Sequence, residues 1–306
     1  MQPPARFVFT PTVTMYKRTL TLACATAGLL LFAGCASFSR IADYPTPGKE
    51  TTVAVVAKPM SKMSELPVGA FYDEPRQIII SGHQKGLGWG LLFGVVGVMV
   101  ADSANKSGAE KRFGESAHSS TTDLGTITRE VLEQEIANGQ VTGWTFAAPP
   151  AHLQLSPYAV FTVQKSGQAR LYAMLRAEIP GADGKPSWTA RYFVRAPGEH
   201  TIEGEGGWMS GTTFSDGMRS ALQRAILVCR DDSQGRLTGT RTIKAKGLLP
   251  YLNTDSWELP FILVQENDEY VVGRLAAGDV MVMAGTHVLD RADFKFTDAK
   301  FKDPRK

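Results

Sequence analysis

Residues 170–195 read RLYAMLRAEIPGADGKPSWTARYFVR and contain two strand candidates. The candidates are Arg170–Glu178 and Ser187–Arg195, and the stretch Gly181-Ala182-Asp183-Gly184-Lys185 lies between them. Glycine and aspartate in such a short stretch are typical of a tight turn. The pattern therefore predicts an antiparallel hairpin.

Helix and strand signals lie on both sides of this hairpin. An amphipathic helix is predicted from the N-cap candidate Asp123 to the stop signal Asn138-Gly139, and a second helix is predicted after Ser215. Five further strands are predicted before this hairpin, at Thr52–Ala57, Val68–Tyr72, Gln77–Ser81, Gly143–Ala147 and Tyr158–Gln164, and the second and third of them are predicted to form a hairpin of their own. This order predicts an α+β domain over residues 52–232, an antiparallel sheet with helices packed on one face.

The hydrophobic pattern of the sequence changes after the second helix. Residues 231–239 are polar enough for a domain boundary, and the chain beyond them shows short strand patterns without a helical period. The strand candidates are Arg241–Lys246, Phe261–Gln265, Tyr270–Leu275, Val280–Ala284 and His287–Leu289. A smaller all-β carboxy-terminal domain is therefore predicted over residues 239–306, with a charged, frayed tail from Asp298.

The amino terminus has the three parts of a secretory signal. Lys17 and Arg18 precede an apolar segment, Leu20–Phe32, and the small residues Ala33 and Gly34 follow it. The apolar segment is too short for a permanent span, which takes about 20 residues. We expect residues 1–34 to be a signal peptide, with Met15 as an alternative start.

The stretch Leu31-Phe32-Ala33-Gly34-Cys35 resembles the lipobox of bacterial lipoprotein precursors. The resemblance implies cleavage before Cys35, a diacylglyceryl group on its thiol and an N-acyl chain, with no other cofactor. Ala36 and Ser37 imply sorting to the outer membrane, on its periplasmic face. An uncleaved anchor and an ordinary secretory signal are the alternatives, and residues 35–51 are predicted to be the lipidated tether.

Charge and cysteine content change once the signal is removed. The chain has 33 Lys and Arg and 30 Asp and Glu, and the only charged residues before Cys35 are Arg6, Lys17 and Arg18. The remaining 272 residues (306 minus 34) therefore balance 30 cations with 30 acids, which gives no bulk preference for nucleic acid. Cys24 leaves with the signal and Cys35 is the lipid site, so Cys229 has no partner for an intramolecular disulfide.

Residues 86–108 carry small residues at a nearly helical spacing. On a helix, one groove would be formed by Gly86, Gly90, Gly94, Gly97, Ala101, Ala104 and Gly108. Small-xxx-small spacing allows close helix contact, and the segment resembles a glycine zipper. A buried helix or loop, contact with the membrane, and a self-association surface all fit this pattern. The apolar part, Gly86–Ala101, is about 24 Å long as a helix, which is short for a span.

The predicted order of elements over residues 52–232 is similar to small periplasmic α+β domains of envelope lipoproteins and to the amino-terminal part of TolB. The similarity includes Trp188 near a strand start and the final helix. It carries no specific motif, so it implies no functional residue.

Few residues in the sequence form a pattern that is typical of a catalytic, metal or ligand-binding site. The five histidines lack metal-ligand spacing, so no metal site is predicted. His200, Glu203 and Glu205 could form an acid–base group. We expect instead that Glu203 and Glu205 lie on the solvent-exposed face of a strand or loop. Cys229 is expected to be a core residue rather than a nucleophile. The aromatic residues Trp188, Tyr192 and Trp208 either line a ligand site or, as expected, belong to the core.

The sequence therefore predicts a non-catalytic, lipid-anchored periplasmic protein that binds or scaffolds envelope proteins in assembly or transport. An oligomeric pore or secretion accessory that uses Gly86–Ala101 is the alternative. A periplasmic hydrolase with a site assembled from distant residues is the third hypothesis.

Overall fold

The computed structural model describes residues 43–60, 65–67, 70–82, 123–182, 184–239, 241–255, 257–275 and 282–298. All of them belong to one compact unit, residues 38–306. The predicted signal peptide, Cys35 and the small-residue segment 86–108 lie outside the described residues. Of the strand predicted at Val280–Ala284, residues 280 and 281 also lie outside them, and the described residues 282–284 are not in a strand, so the prediction was wrong there.

The described residues contain twelve strands and two helices. The strands are β1 (Thr51–Val55), β2 (Phe71–Asp73), β3 (Ile78–Gly82), β4 (Trp144–Phe146), β5 (Leu153–Val163), β6 (Ala169–Pro180), β7 (Pro186–Arg195), β8 (Thr242–Gly247), β9 (Glu258–Glu266), β10 (Tyr270–Leu275), β11 (Gly285–Asp290) and β12 (Phe294–Asp298). The helices are α1 (Leu124–Ala137), between β3 and β4, and α2 (Thr213–Ser233), between β7 and β8.

All twelve strands belong to one mixed sheet. Its order is β12-β8-β9-β10-β11-β7-β6-β5-β1-β4, and β3 pairs with both β2 and β5. The predicted hairpin is confirmed as β6–β7, which pair antiparallel with Arg176 opposite Arg191. Four pairs are parallel, namely β1 with β4, β1 with β5, β3 with β5, and β7 with β11. The long strand β5 holds β1 and β3 one after the other along the same edge.

The central strands are buried on both faces. On β6, Leu171 and Leu175 face a first core, whereas Tyr172 and Met174 face a second core. The first core lies under α1 and α2. The second core combines residues of β5–β7 with residues of β8–β12, such as Phe261. The sheet therefore folds back so that its carboxy-terminal strands cover the face that the helices leave open.

The predicted fold class was wrong. The molecule is predominantly β, with one large mixed sheet and only α1 and α2 as helices in the part described. It is not an antiparallel α+β sheet followed by a smaller all-β carboxy-terminal domain, because β11 pairs in parallel with β7, where Val288 lies opposite Val194. Short strand patterns show where strands are but not which strands pair with each other. The pairing of β11 with β7 could not be predicted, because it joins residues about 94 positions apart in the sequence.

The helix ends agree with the sequence signals. Asp123 is the N-cap of α1, where its Oδ1 accepts a 2.9 Å hydrogen bond from the Gly125 amide. Asn138 is the C-cap, and its amide donates to the Gln134 carbonyl at 2.9 Å. The amphipathic helix predicted after Ser215 is also confirmed as α2, which begins two residues earlier.

Candidate functional site

The predicted site residues Cys35, Gly86, Gly90, Gly94, Gly97 and Ala101 lie outside the described residues. The histidines His83 and His118 do as well. The other residues considered for a catalytic role, around His200 and Cys229, lie within the described residues.

His200 and the glutamates that follow it do not form an acid–base group. The His200 ring packs edge-on against Trp208, with ring centroids 4.7 Å apart. Glu203 and Glu205 are exposed on a turn in which Gly204 and Gly206 have positive φ angles. The expectation that these carboxylates face water is confirmed.

The aromatic residues and Cys229 belong to the first core, as expected. Trp208 is buried and its indole donates a 2.7 Å hydrogen bond to the Ala169 carbonyl. Trp188 packs against Tyr44, with centroids 5.0 Å apart. These residues hold strands and helices together instead of lining one ligand wall.

A buried polar cluster lies where α2 meets the sheet, and we call Asp43, Tyr192, Cys229, Asp232 and Arg274 the Arg274 cluster. Arg274 on β10 is ion-paired with Asp232 near the end of α2, and their side chains are 5% and 2% exposed. The Tyr192 hydroxyl on β7 donates to Asp232 Oδ2 at 2.7 Å. The other end of the guanidinium donates to Asp43 Oδ1 at 2.7 Å, and Asp43 is 74% exposed. The cluster therefore links four separate parts of the chain.

Burial decides the protonation of this cluster. It raises the pKa of the Cys229 thiol well above its usual value, and the neighbouring Asp232 raises it further. Burial also raises the pKa of Asp232, and the Arg274 guanidinium opposes this rise. Both Asp232 oxygens accept hydrogen bonds, as an ionised carboxylate does. A nucleophilic cysteine needs a lowered pKa, so this environment suits a structural thiol.

The cluster fastens residues 43–50, which we call the amino-terminal strap, to the body. Tyr44 is buried against Trp188. The Gly48 amide donates to the Ser233 carbonyl at 3.1 Å, at the end of α2. Residues 43–51 were predicted as part of the tether, and the structure places them on the folded body.

Two signals in the sequence point to the Arg274 cluster. Arg274 interrupts the apolar run Tyr270–Leu275, and a cation inside a buried strand needs a buried anion. Asp232 follows Cys229 by three positions, so it continues the apolar face of α2. Asp232 was instead predicted to belong to a polar domain boundary, residues 231–239.

A second buried titratable group is His287 on β11. Its ring stacks on Phe193, with centroids 4.6 Å apart, and its Nε2 lies 2.7 Å from the Met283 carbonyl oxygen, to which it donates. Burial lowers the pKa of His287 to about 4, so the ring is neutral near pH 7. It lines a small recess that also includes Arg195, Asp290 and Asp293. Arg195 is ion-paired with Asp293, so both side chains have a structural role.

Within the described ranges, His, Cys, Asp and Glu side chains nowhere gather in a group of three or more that could hold a metal ion. Neither α1 nor α2 combines the length and the apolar character that crossing a bilayer requires.

Comparison of the chain with protein-family models, with curated proteins and with solved structures gave no match.

Proposed function

We propose that this protein is a lipoprotein anchored through Cys35 in the periplasmic leaflet of the outer membrane. Its body binds or scaffolds other envelope proteins and catalyses no reaction. The observation that supports the proposal is the docked amino-terminal strap, whose Asp43, eight positions after Cys35 (43 minus 35), is bound to Arg274.

The strap limits how far the body reaches from the membrane. An extended chain spans at most about 3.6 Å per residue, so eight residues place Asp43 within roughly 29 Å of Cys35. If the chain were free as far as Thr51, sixteen residues would allow roughly 58 Å by the same measure. A short reach suits a body that must meet partners at the membrane surface.

The chemistry of the Arg274 cluster is that of a structural group. Its Cys229 thiol has a raised pKa and lies in the core, and its charged groups Asp232 and Arg274 are bound to each other. Each of these groups stabilises a junction between chain segments.

Crosslinking in cells tests this function. A photo-crosslinking amino acid is placed at the exposed positions Glu203 and Lys246, one at a time, in the full-length chain, and crosslinked proteins are identified by mass spectrometry. We expect crosslinks to outer-membrane or periplasmic proteins that disappear when Cys35→Ser is added. Crosslinks that persist unchanged without the anchor, or none to envelope proteins, would contradict the proposal. Homo-oligomers that disappear in Gly90→Leu would favour the pore or secretion accessory instead.

A further inference from the structure

The sheet ends at strand β12, whose outer edge is open in the part of the chain that the structure describes. β12 pairs with β8 on one side, and none of the described residues pairs with it on the other side. An antiparallel strand points the backbone groups of alternate residues away from its partner, so an edge strand presents unpaired N–H and C=O groups. Neither a proline nor a bulge interrupts Phe294–Asp298. β12 therefore offers a template onto which another extended chain can pair.

Two lysines face each other at this edge. Lys246 on β8 is directly opposite Lys295 on β12, and both residues are exposed. Like charges in directly opposite positions destabilise a sheet. Glu258 on β9 lies opposite Lys246 on its other side, but the Glu258 carboxylate is ion-paired with Lys244 at 2.9 Å. Within the described ranges, neither Lys246 nor Lys295 forms an ion pair of its own.

The two faces of β12 determine which side chains an added strand would need. Directly opposite residues point to the same face of a sheet, so a residue opposite Lys295 would extend the row of Glu258, Lys246 and Lys295. An acidic residue there would place a carboxylate on each side of the two lysines. The residues next to it in the added strand would point to the other face, where the rings of Phe294 and Phe296 stack with centroids 6.1 Å apart. Phe296 is half-buried against the second core, so an apolar side chain there would cover the rest of its ring.

A second copy of the chain fits this edge poorly. The antiparallel register that pairs all five residues of one β12 with another puts Lys295 opposite Thr297 and Phe294 opposite Asp298. It would gather the lysine pairs of both copies without an anion and set each phenylalanine against a carboxylate. An anionic lipid surface would neutralise the lysines, but it offers no strand for the open backbone groups of β12.

We propose that the outer edge of β12 binds an extended segment of another envelope protein, with an acidic residue opposite Lys295 and apolar residues on either side of it. The added strand takes up the open backbone groups, and its acidic residue neutralises the lysine pair. This docking surface rests on the binding role proposed above, for which it supplies a place and the chemistry of the partner. It does not depend on the lipid anchor, because β8, β9 and β12 alone carry it.

Peptide binding tests this docking surface. A fluorescently labelled peptide of alternating glutamate and valine is titrated with the full-length protein in detergent micelles, and its anisotropy is measured. We expect saturable binding that weakens with added salt. Lys295→Glu should weaken it roughly tenfold, because the reversal replaces an attraction by a repulsion. The same variant should bind the matching peptide of alternating lysine and valine more tightly than the wild type does, which also shows that the variant is folded.

The matched control is Lys165→Glu, which makes the same change of charge on the exposed turn between β5 and β6. Its affinity for the glutamate peptide should stay within about twofold of the wild type. Methylation of backbone nitrogens in the peptide separates strand pairing from simple charge attraction, because only alternate N–H groups of a bound strand face β12. Methylating one alternate set should abolish binding, and methylating the other set should not.

Several results would overturn the proposed docking surface. They are no binding of the glutamate peptide, equal losses in Lys295→Glu and Lys165→Glu, and equal effects of the two methylation patterns. Phosphatidylglycerol vesicles that bind Cys35→Ser protein and lose it on Lys295→Glu, without any peptide binding, would assign the lysines to lipid headgroups and overturn it as well. If the peptide fails while crosslinks to envelope proteins persist in cells, the β12 edge is wrong and the binding role stands.

Discussion

At the scale of single residues, the pair of Asp232 and Arg274 dominates the electrostatics of the fold. Removing one partner of a buried ion pair leaves the other charge without compensation, which costs about 3–5 kcal/mol. Arg274→Met should therefore lower the free energy of unfolding by about that amount, measured by urea denaturation. Arg241→Met is the control, because Arg241 is 58% exposed in its pair with Glu266, and an exposed pair contributes at most about 1 kcal/mol. Equal losses in the two variants would contradict this account.

His287 predicts a pH dependence of stability. The folded ring has a pKa of about 4, below its usual value of 6.5, so between these values the unfolded chain binds a proton that the folded chain does not. Its contribution is complete above pH 6.5 and is lost as the pH falls towards 4, by roughly 3 kcal/mol. In His287→Gln this part of the pH dependence should be missing from urea denaturation curves between pH 4 and 7. If the free energy of unfolding changed with pH in the same way in both proteins, His287 would not be buried in its neutral form.

Residue types predicted some of these roles and not others. Cys229 was recognised as a core residue because its apolar neighbours repeat with a helical period. Trp208 was expected in the core as a strand aromatic; it is in the core, although it lies in a turn. Asp232 and Arg274 were missed, since each looks polar alone and only the fold brings them within hydrogen-bond distance. The facing lysines Lys246 and Lys295 were missed as well, because β12 was not predicted as a strand.

At the scale of elements, α1 shows how local signals set a boundary. The Asp123 carboxylate accepts from the Thr126 hydroxyl and the Gly125 amide, and the Thr126 bond is the main cause that lowers the pKa of Asp123. Asp123→Ala should lower the free energy of unfolding by about 1 kcal/mol.

The control for this prediction is Glu133→Ala at an exposed position of the same helix, where the change should stay within about 0.5 kcal/mol. A lowered pKa means that the cap stabilises the folded state above the usual value of 3.8 and that this contribution is lost as the pH falls below it. The difference in free energy of unfolding between the two variants should therefore become smaller at acidic pH. A constant difference in urea denaturation down to low pH would show that the carboxylate is not the cap.

Helices and the central hairpin were predictable because their signals are local. Strand β12 was missed even though Phe294 and Phe296 alternate with polar residues, because five residues directly before a charged tail give little pattern. The pairing of β7 with β11 is a different problem, because nothing near either strand specifies the partner.

At the scale of the whole molecule, the two cores explain why the fold class was mispredicted. The carboxy-terminal strands were expected to enclose a core of their own. Instead Phe261 and Val271 pack with Tyr172 and Met174 of β6 in the second core. A sheet that folds back over its own face leaves the same local strand patterns as two separate domains.

This architecture predicts that residues 239–306 do not fold alone. Their apolar faces would lose the partners that β5–β7 supply, and the parallel joint of β11 to β7 would be absent. The isolated fragment should give the circular dichroism and amide spectra of an unfolded chain, whereas residues 38–306 should fold cooperatively. A cooperative unfolding transition in the fragment would show that it is an independent domain.

The proposed function depends on the lipid anchor, because the short reach of the strap matters only if Cys35 carries lipid. The direct measurement is incorporation of labelled palmitate into the full-length chain and into Cys35→Ser, combined with fractionation of cell membranes. We predict that the wild type is labelled and remains in the outer membrane, and that the variant loses both the label and membrane retention. A Cys35→Ser protein that is still labelled and still held in the membrane would contradict the account.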